Sequence, residues 1–286
     1  MENNKKVTRV DTKRIYSKNS TFQKLKVLKT NRNKRYKYNE FIIEGVRNIN
    51  GAIKNNWQIN SFIYLEGRTP SRWAANLLEN CRTEVNYELD GDLMTELSGK
   101  EETSELIAVA RMNRGEPATI KLSDNPILAL FDRPSNKGNL GTFFRSCDAF
   151  GVEQVIITGH SVDVYDPDVI TSSMGSFFSM PFITLADNMQ IDGYIDMLRQ
   201  QYPQLKVIGT DERGQTAVFD IDMNTPILFL MGNETHGINR HLLDICDVVA
   251  SIPMSGNSSA SSLNVSCAAT VVLYEAARQR AKLKIL

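Results

Sequence analysis

Short apolar runs alternate with amphipathic stretches from about residue 38 to the end of this 286-residue chain. This alternation predicts an α/β fold, because buried strands appear as short apolar runs and helices as patterns with a period near 3.6 residues. In the first half of the chain, the pattern predicts strands at 40–44, 61–65, 84–88 and 106–111 and helices at 46–56, 71–81 and 91–97.

The second half contains continuous apolar runs that are typical of parallel strands covered on both faces. Its predicted strands are 127–131, 154–158, 181–185, 205–209, 226–231 and 248–254, and its predicted helices are 140–150, 187–202, 239–246 and 264–284. In an open parallel sheet, ligands gather at the carboxyl ends of the strands. We therefore expect the chemistry in the loops that follow these strands.

A stretch with little periodicity, 112–125, separates the two halves. It contains Gly115 and Pro117 and is followed by Pro126, and such residues interrupt regular structure. The predicted organisation is a basic N-terminal arm at 1–17, a smaller domain at 18–111, a linker at 112–125 and a larger parallel-sheet domain at 126–286.

The net charge is zero, from 33 basic and 33 acidic residues, but the charges are unevenly distributed. Residues 1–40 carry 13 Lys or Arg against 3 Asp or Glu, a net charge of +10, which leaves 20 basic and 30 acidic residues, a net of −10, in the rest. The chain therefore joins a basic N-terminal region to an acidic body, and its neutral average does not exclude a polyanionic partner.

Several classes of protein are excluded by composition. The longest apolar runs have five residues, far short of the ~20 that a membrane helix needs. The N-terminus lacks the apolar segment of a secretory signal, and a mitochondrial transit peptide is the weaker alternative because Glu2 and Asp11 are acidic. His236 and His241 do not share a helix face, so no metal site is predicted. The widely spaced cysteines indicate reduced thiols in a cytoplasmic protein: Cys81, Cys147, Cys246 and Cys267.

Three loops at the ends of predicted strands are rich in Gly, Asn and Ser: 133–145, 232–237 and 252–266. Simpler interpretations stay open for each loop, with Asn139 or Ser262 as the N-cap of a helix and Glu234 as the partner of a helix dipole. Spacing alone does not tell whether Arg145, nearly two turns beyond Asn139, faces the sheet or solvent. No loop matches a dinucleotide-binding, P-loop, nucleophile-elbow or zincin motif.

In order, these loops read N-x-G-N-x-G-x-x-x-R-x-C-D-A-F-G, G-N-E-x-x-G and I-P-M followed by S-L-N-V-S-x-A-A. Together they resemble the three motifs of the SpoU (TrmH-type) RNA 2′-O-ribose methyltransferases of the SPOUT superfamily. Residues 18–110 are similar to the L30e-like substrate-binding domain that often precedes them. Two departures bear on substrate choice: Lys137 stands where many members have Pro, and the third loop is about two residues longer than usual between Gly256 and Ser262.

The resemblance implies an α/β domain with a deep trefoil knot and S-adenosylmethionine as the methyl donor. It carries over a catalytic set: Asn139, Arg145, Glu234, Ser262 and Asn264. It also implies a cofactor-binding set: Thr210, Met231, Gly232, Ile252, Met254 and Leu263. A guanidinium is ordinarily never deprotonated, so our hypothesis is that Arg145 binds phosphate and stabilises the forming alkoxide while Glu234 orients Arg145 and Asn139.

An RNA substrate gives the basic N-terminal region a role, because cations bind phosphates and aromatic rings stack on bases. The candidate RNA contacts are Lys24, Lys29, Arg32, Lys34, Arg35, Lys37 and Arg133. The alternative for the arm is a disordered, solubilising tail. Ribosomal RNA is favoured over transfer RNA, because the small tRNA-type members generally lack the N-terminal domain.

The resemblance also implies a homodimer formed through the knotted domain. The apolar final helix is the candidate interface, although these residues could equally be buried within one chain: Val265, Ala268, Ala269, Val272 and Ala276. Two other functions stay open, namely a non-catalytic RNA-binding or assembly factor and a tRNA methyltransferase. The sequence does not distinguish housekeeping modification from resistance to a ribosome-targeting antibiotic.

Overall fold

The structure is a computed structural model that describes residues 10–100, 102–113, 121–260 and 262–280. The chain forms two compact units: Met1–Asn113 with Tyr165–Pro167, and Arg114–Val164 with Asp168–Leu286. Residues 1–9 of the predicted arm, 114–120 of the predicted linker and the end of the last predicted helix lie outside the described residues. The domain limits at 18–111 and 126–286 stay a prediction.

The N-terminal unit is built on a five-stranded mixed sheet with the strand order β1-β4-β3-β5-β2. Strand β4 pairs parallel with β1 and β3, whereas β5 pairs antiparallel with β3 and β2. Its elements are β1 (Thr12–Ile15), α1 (Ser20–Thr30), α2 (Arg32–Tyr38), β2 (Glu40–Glu44), α3 (Val46–Lys54), β3 (Ile59–Leu65), α4 (Arg72–Asn80), β4 (Asn86–Leu89), α5 (Gly91–Ser98) and β5 (Leu106–Arg111).

The hydrophobic pattern did not predict β1, α1 and α2. Helix α1 buries only Phe22, Leu25 and Leu28, a narrow stripe between lysines, and β1 buries only Ile15. Both helices instead have clear capping signals, because the side chains of Asn19 and Asn31 accept hydrogen bonds from backbone N–H groups of their first turns. Part of the predicted basic arm is therefore an edge strand.

The C-terminal unit is built on a seven-stranded, all-parallel sheet with the order β10-β12-β9-β11-β6-β7-β8. Its elements are β6 (Ile127–Asp132), α6 (Lys137–Ala149), β7 (Gln154–Thr158), α7 (Pro167–Ser173), β8 (Phe182–Leu185), α8 (Asn188–Gln201), β9 (Lys206–Thr210), β10 (Thr216–Ala217), β11 (Ile227–Met231), α9 (Arg240–Ile245), β12 (Val248–Ser251) and α10 (Val265–Gln279). The α/β prediction with a parallel sheet is confirmed, and the knot stays a prediction.

Strands β6, β7 and β11 are buried along their whole length, as their continuous apolar runs predict. On one face, Leu128 and Leu130 pack in a core cluster with Leu198 of α8 and Leu242 of α9. On the other face, the rings of Phe131 and Phe143 of α6 lie 5.1 Å apart, centroid to centroid. This double cover fixes the strands, so their carboxyl ends form a rigid edge for the loops that follow.

Two helix starts differ from the simplest interpretation of the loops. Helix α6 is capped by Asn136, whose Oδ1 accepts from the backbone N–H of Asn139 at 3.0 Å. Helix α10 is capped by Asn264 rather than Ser262. Asn139 therefore lies inside the first turn of α6, and its side-chain amide is available for other contacts. None of the helices in the described ranges is long and apolar enough to cross a membrane.

Candidate functional site

A pocket of about 540 Å³ opens at the carboxyl ends of β9, β11 and β12. Its walls include all six residues predicted to bind the cofactor: Thr210, Met231, Gly232, Ile252, Met254 and Leu263. Residues 211–213 and 235–237 also line it and were not among the predicted cofactor-binding residues. The volume suits a small organic ligand, because such pockets usually enclose roughly 300–1,000 Å³.

The wall formed by the second loop depends on the absence of a side chain at Gly232. A Cβ placed there would lie 2.4 Å from both the carbonyl carbon of Gly237 and the backbone nitrogen of Ile238. The loop turns back tightly, because Asn233 and Gly237 exchange two backbone hydrogen bonds of 3.0 and 2.9 Å. Glycine is therefore required for two backbone segments to meet at the pocket wall.

The carboxylate of Glu234, in the second loop, accepts four hydrogen bonds from the first loop. Its Oε2 accepts from the backbone N–H and the hydroxyl of Ser135, at 2.9 and 2.7 Å. Its Oε1 accepts from the backbone N–H of Asn136 at 3.0 Å and from Nδ2 of Asn139 at 3.2 Å. Glu234 thus holds the second loop against the start of α6.

Asn139 extends this connection to the third loop. Its Oδ1 accepts from Nδ2 of Asn264 at 3.0 Å, and its backbone carbonyl accepts from the hydroxyl of Ser266 at 2.9 Å. Because Nδ2 of Asn139 faces a carboxylate and Oδ1 faces an amide donor, the orientation of its amide is determined. Three predicted catalytic residues, Asn139, Glu234 and Asn264, therefore form one hydrogen-bonded chain across all three loops.

The protonation state of Glu234 follows from its donors. Burial would raise the pKa of its carboxyl, but the hydrogen bonds from Ser135 and Asn136 outweigh that effect and lower the pKa below the ordinary value of 4.5. Glu234 is therefore ionised near neutral pH and acts only as an acceptor.

The other two predicted catalytic residues lie outside this chain of hydrogen bonds. Ser262 is exposed and lines the pocket. Arg145 is exposed on α6, and within the described residues no side chain forms a hydrogen bond or ion pair with it. The expectation that Glu234 orients Arg145 is therefore wrong, since the carboxylate is occupied by Ser135, Asn136 and Asn139.

Arg133 was predicted to contact RNA, and the structure gives it a neighbouring carboxylate. Its Nε and Nη2 donate to the two oxygens of Asp132, at 3.0 and 2.8 Å. Hydrogen bonding to Asp132 raises the pKa of the guanidinium further above its already high value. Arg133 is therefore held at the end of β6, with 34% of its side chain exposed.

Two of the RNA contacts predicted in the N-terminal unit, Arg35 and Lys29, donate hydrogen bonds to backbone carbonyls. Arg35 is 1% exposed and donates to the carbonyls of Leu28 and Lys29 at the end of α1, so the prediction that it contacts RNA is wrong. Lys29 is half-buried and bonds the carbonyls of Leu97 and Ser98.

The remaining predicted RNA contacts lie on α1 and α2. Lys24 forms a 2.6 Å ion pair with Glu40 and lies over the ring of Tyr38. Arg32 lies over the ring of Tyr36, at 5.6 Å from its centroid. Lys34 and Lys37 have no ion-pair partner within the described residues, which leaves α2 as the basic segment open to a polyanion. No group of His, Cys, Asp and Glu within the described residues is arranged to hold a metal ion.

Known proteins match both units of the chain. The sequence model of the SpoU rRNA Methylase family matches residues 126–274, and that of the SpoU L30e-like domain matches residues 19–108. A parallel sheet with this pocket and these loops thus defines an RNA methylase fold. The chain belongs to the SpoU rRNA methylase family.

Among individual relatives, the chain is 41% identical over 269 residues to the 23S rRNA (uridine(2479)-2′-O)-methyltransferase of Streptomyces viridochromogenes, covering 94% of this chain and 93% of the relative. It is 27% identical over 259 residues to the 23S rRNA (guanosine(2553)-2′-O)-methyltransferase RlmP of Bacillus subtilis, covering 90% and 96%. The crystal structure of the SpoU methyltransferase AviRb from S. viridochromogenes with AdoMet has a TM-score of 0.84 and 38% identity, covering 92% of this chain and all of that one.

Because the second loop turns tightly, adding a methyl group at Gly232 should affect stability differently from adding one at an open position. Gly232→Ala forces two backbone segments apart and should lower the free energy of unfolding by about 1–3 kcal/mol. The matched control is Gly193→Ala on α8, where a Cβ meets nothing within 4 Å and should stabilise the helix by up to about 1 kcal/mol. Urea unfolding measures both, and equal effects of the two variants would contradict the packing described here.

The lowered pKa of Glu234 predicts how its contribution to stability depends on pH. A carboxyl with a lowered folded pKa stabilises the fold above the unfolded value, and this contribution is lost as pH falls through the folded value. Glu234→Gln should therefore differ from the parent in free energy of unfolding near pH 7, and the difference should shrink below about pH 4.5. A difference that stays constant with pH would contradict the lowered pKa of Glu234 in the folded protein.

Proposed function

We propose that this protein transfers a methyl group from S-adenosylmethionine to a ribose 2′-hydroxyl of 23S ribosomal RNA. The observation that carries the proposal is the hydrogen-bonded chain of Glu234, Asn139 and Asn264 beside the pocket. The relatives that match nearly the whole chain are named as 23S rRNA 2′-O-methyltransferases, which supports the same reaction and RNA here.

The pocket residues fit the proposed cofactor. Gly232 and the loop turn behind it let backbone groups reach a flat ring edge without a side chain between them. Apolar side chains of Met231, Ile252 and Leu263 line the same space, which suits an adenine ring and a thioether chain. When bound, S-adenosylmethionine supplies an activated methyl group on a positively charged sulfur.

The chain's own residues then have to position the ribose and stabilise the charge that develops on its 2′-oxygen. Glu234 already accepts four hydrogen bonds and has a lowered pKa, so we assign it to fixing the loops rather than to removing the proton. Asn139 and Asn264 order the third loop next to the pocket. Ser262, exposed at the pocket wall, is assigned to holding substrate or cofactor.

Arg145 is the proposed electrostatic partner of the reacting oxygen. It is exposed, and its planar guanidinium presents paired N–H donors. A permanent positive charge with paired donors suits the adjacent phosphate and the forming alkoxide. This role needs no contact with Glu234, which agrees with the separation of the two side chains.

We also propose a homodimer formed through α10 and the neighbouring part of α6. Of the residues predicted for this interface, Ala269, Val272 and Ala276 are instead buried within the chain. The exposed apolar residues of α10 are Val271 and Tyr274, which are 39% and 52% exposed. The ring of Tyr274 lies 5.8 Å from that of Phe150 at the end of α6, so the two helices share an apolar face.

Helix α2 is the proposed RNA-contacting segment of the N-terminal unit, with Arg32, Lys34 and Lys37. Its aromatic residues Tyr36 and Tyr38 lie beneath cations, an arrangement that also suits stacking on unpaired bases. We place this activity in the cytoplasm, because an rRNA-modifying enzyme meets its substrate there.

The function is tested by incubating the protein with S-adenosylmethionine that carries a tritiated methyl group and with unmodified 23S rRNA, 16S rRNA or tRNA. The proposal expects label in 23S rRNA alone. Label in tRNA instead of 23S rRNA would show that tRNA is the substrate. No label in any RNA would contradict the proposed function.

The proposed role of Arg145 predicts the result of its conservative replacement. Lysine retains the charge but not the planar fork of donors, so Arg145→Lys should lower kcat by at least about tenfold. The melting temperature should not change, because the side chain is exposed and forms no bonds within the described residues. A turnover within twofold of the parent enzyme would show that paired donors are not needed.

The proposed role of α2 predicts a change in the salt dependence of RNA binding. Each phosphate contact that is lost reduces the slope of log affinity against log salt by about 0.7–0.9. The double variant Lys34→Ala/Lys37→Ala should therefore reduce the slope by about 1–2. The control is Lys26→Ala on α1, which is paired with Glu96 at 2.6 Å and should leave the slope unchanged. Equal slopes for both variants would exclude phosphate contacts on α2.

A further inference from the structure

The carboxylate of Asp132, at the end of β6, is a second buried acceptor beside the site. The residue is 1% exposed. Its Oδ1 accepts from Arg133 Nε at 3.0 Å and from the hydroxyl of Thr158 on β7 at 2.9 Å. Its Oδ2 accepts from Arg133 Nη2 at 2.8 Å and from the backbone N–H and Nδ2 of Asn239 at 3.0 and 3.2 Å. Five donors therefore converge on one side chain.

These bonds secure one end of the second loop directly. Asn239 is the N-cap of α9 and immediately follows the segment that contains Glu234. Its side-chain Oδ1 accepts from the backbone N–H of Leu242, while its Nδ2 and backbone N–H reach Asp132. The carboxylate thus fixes the point at which the loop enters the helix.

The same carboxylate secures the other end of the loop through Arg133. The backbone of Arg133 is in the left-handed region, with φ of 48°, which is unfavourable for a residue with a Cβ. The bidentate pair with Asp132 holds this conformation, and the carbonyl of Arg133 then accepts from Nδ2 of Asn233 at 2.7 Å. Asn233 Oδ1 in turn accepts from two N–H groups of the turn.

We propose that Asp132 is a positioning residue that fixes both ends of the second loop and thereby places Glu234 against the first loop. The proposal rests on the function proposed above and adds a residue outside its catalytic and cofactor-binding sets. Asp132 does not line the pocket, so its effect on methyl transfer passes through Asn233, Asn239 and the loop between them.

The test replaces one acceptor without changing the size of the side chain. Asp132→Asn has a single acceptor oxygen, and its amide group faces at least one of the donors that Asp132 now satisfies. The control is Thr158→Val on β7, which removes one donor to the same carboxylate but keeps the backbone carbonyl that accepts from the N–H of Arg133 at 3.2 Å. Both variants are expected to lower the melting temperature, so loss of stability alone does not separate them.

Hydrogen exchange followed by mass spectrometry separates them without any substrate. In Asp132→Asn, peptides that cover 232–239 should exchange about tenfold faster than in the parent protein, because the single amide oxygen leaves either the bonds to Asn239 or the bidentate pair with Arg133 broken. In Thr158→Val, the same peptides should exchange as in the parent. If Asp132→Asn lowers the melting temperature but leaves exchange at 232–239 unchanged, Asp132 is structural only and the proposal is overturned.

The kinetic arm measures kcat at saturating cofactor and RNA, well below the melting temperatures. Asp132→Asn should lower kcat about tenfold or more, and Thr158→Val by less than twofold. Asp132 is proposed to act through Glu234. The kcat of the double variant Asp132→Asn/Glu234→Gln should therefore lie within about twofold of the kcat of the slower single variant. If the decrease in kcat of the double variant equals the product of the decreases of the two single variants, the proposal is overturned. If the parent protein methylates no RNA, the proposed function fails, whereas the exchange arm still decides the role of Asp132.

Discussion

The candidate site depends on one carboxylate that is shared between two loops. Glu234 reaches from the second loop to Ser135, Asn136 and Asn139 in the first, and Asn139 passes the connection on to Asn264 in the third. Loops rich in Gly, Asn and Ser have no apolar surface of their own to bury, so buried or half-buried hydrogen bonds to a charged acceptor must order them. The lowered pKa of Glu234 keeps that acceptor ionised.

The parallel sheet brings these loops together. Two acidic residues at its edge contribute to the negative charge of the C-terminal unit. The strands β6, β9, β11 and β12 end at the same edge, where Asp132 and Glu234 each accept several hydrogen bonds. These carboxylates hold loops and an arginine in place. Arg133 offsets the charge of Asp132, whereas Glu234 stays ionised among neutral donors, so only part of the negative charge at this edge is balanced internally.

Continuous apolar runs made the central strands predictable, since β6, β7 and β11 are buried on both faces. The resemblance of the three loops to the SpoU motifs implied six cofactor-binding residues, and all six line one pocket. Helix α1 was missed because lysines interrupt its narrow apolar stripe, and α2 was missed because the one residue it buries is Arg35. The burial of Arg35 and the convergence of donors on Asp132 were also beyond sequence reasoning, because both depend on carbonyls and side chains brought together only by the fold.

The proposed reaction places the methyl group on a ribose oxygen rather than on a base. The most direct measurement is partial alkaline hydrolysis of end-labelled 23S rRNA fragments before and after incubation with the protein and S-adenosylmethionine. Alkaline cleavage uses the free 2′-hydroxyl as its nucleophile, so a 2′-O-methylated nucleotide leaves a gap in the ladder. For ribose methylation we expect one such gap, which appears only with the cofactor. Methyl incorporation into the same RNA with an uninterrupted ladder would contradict it.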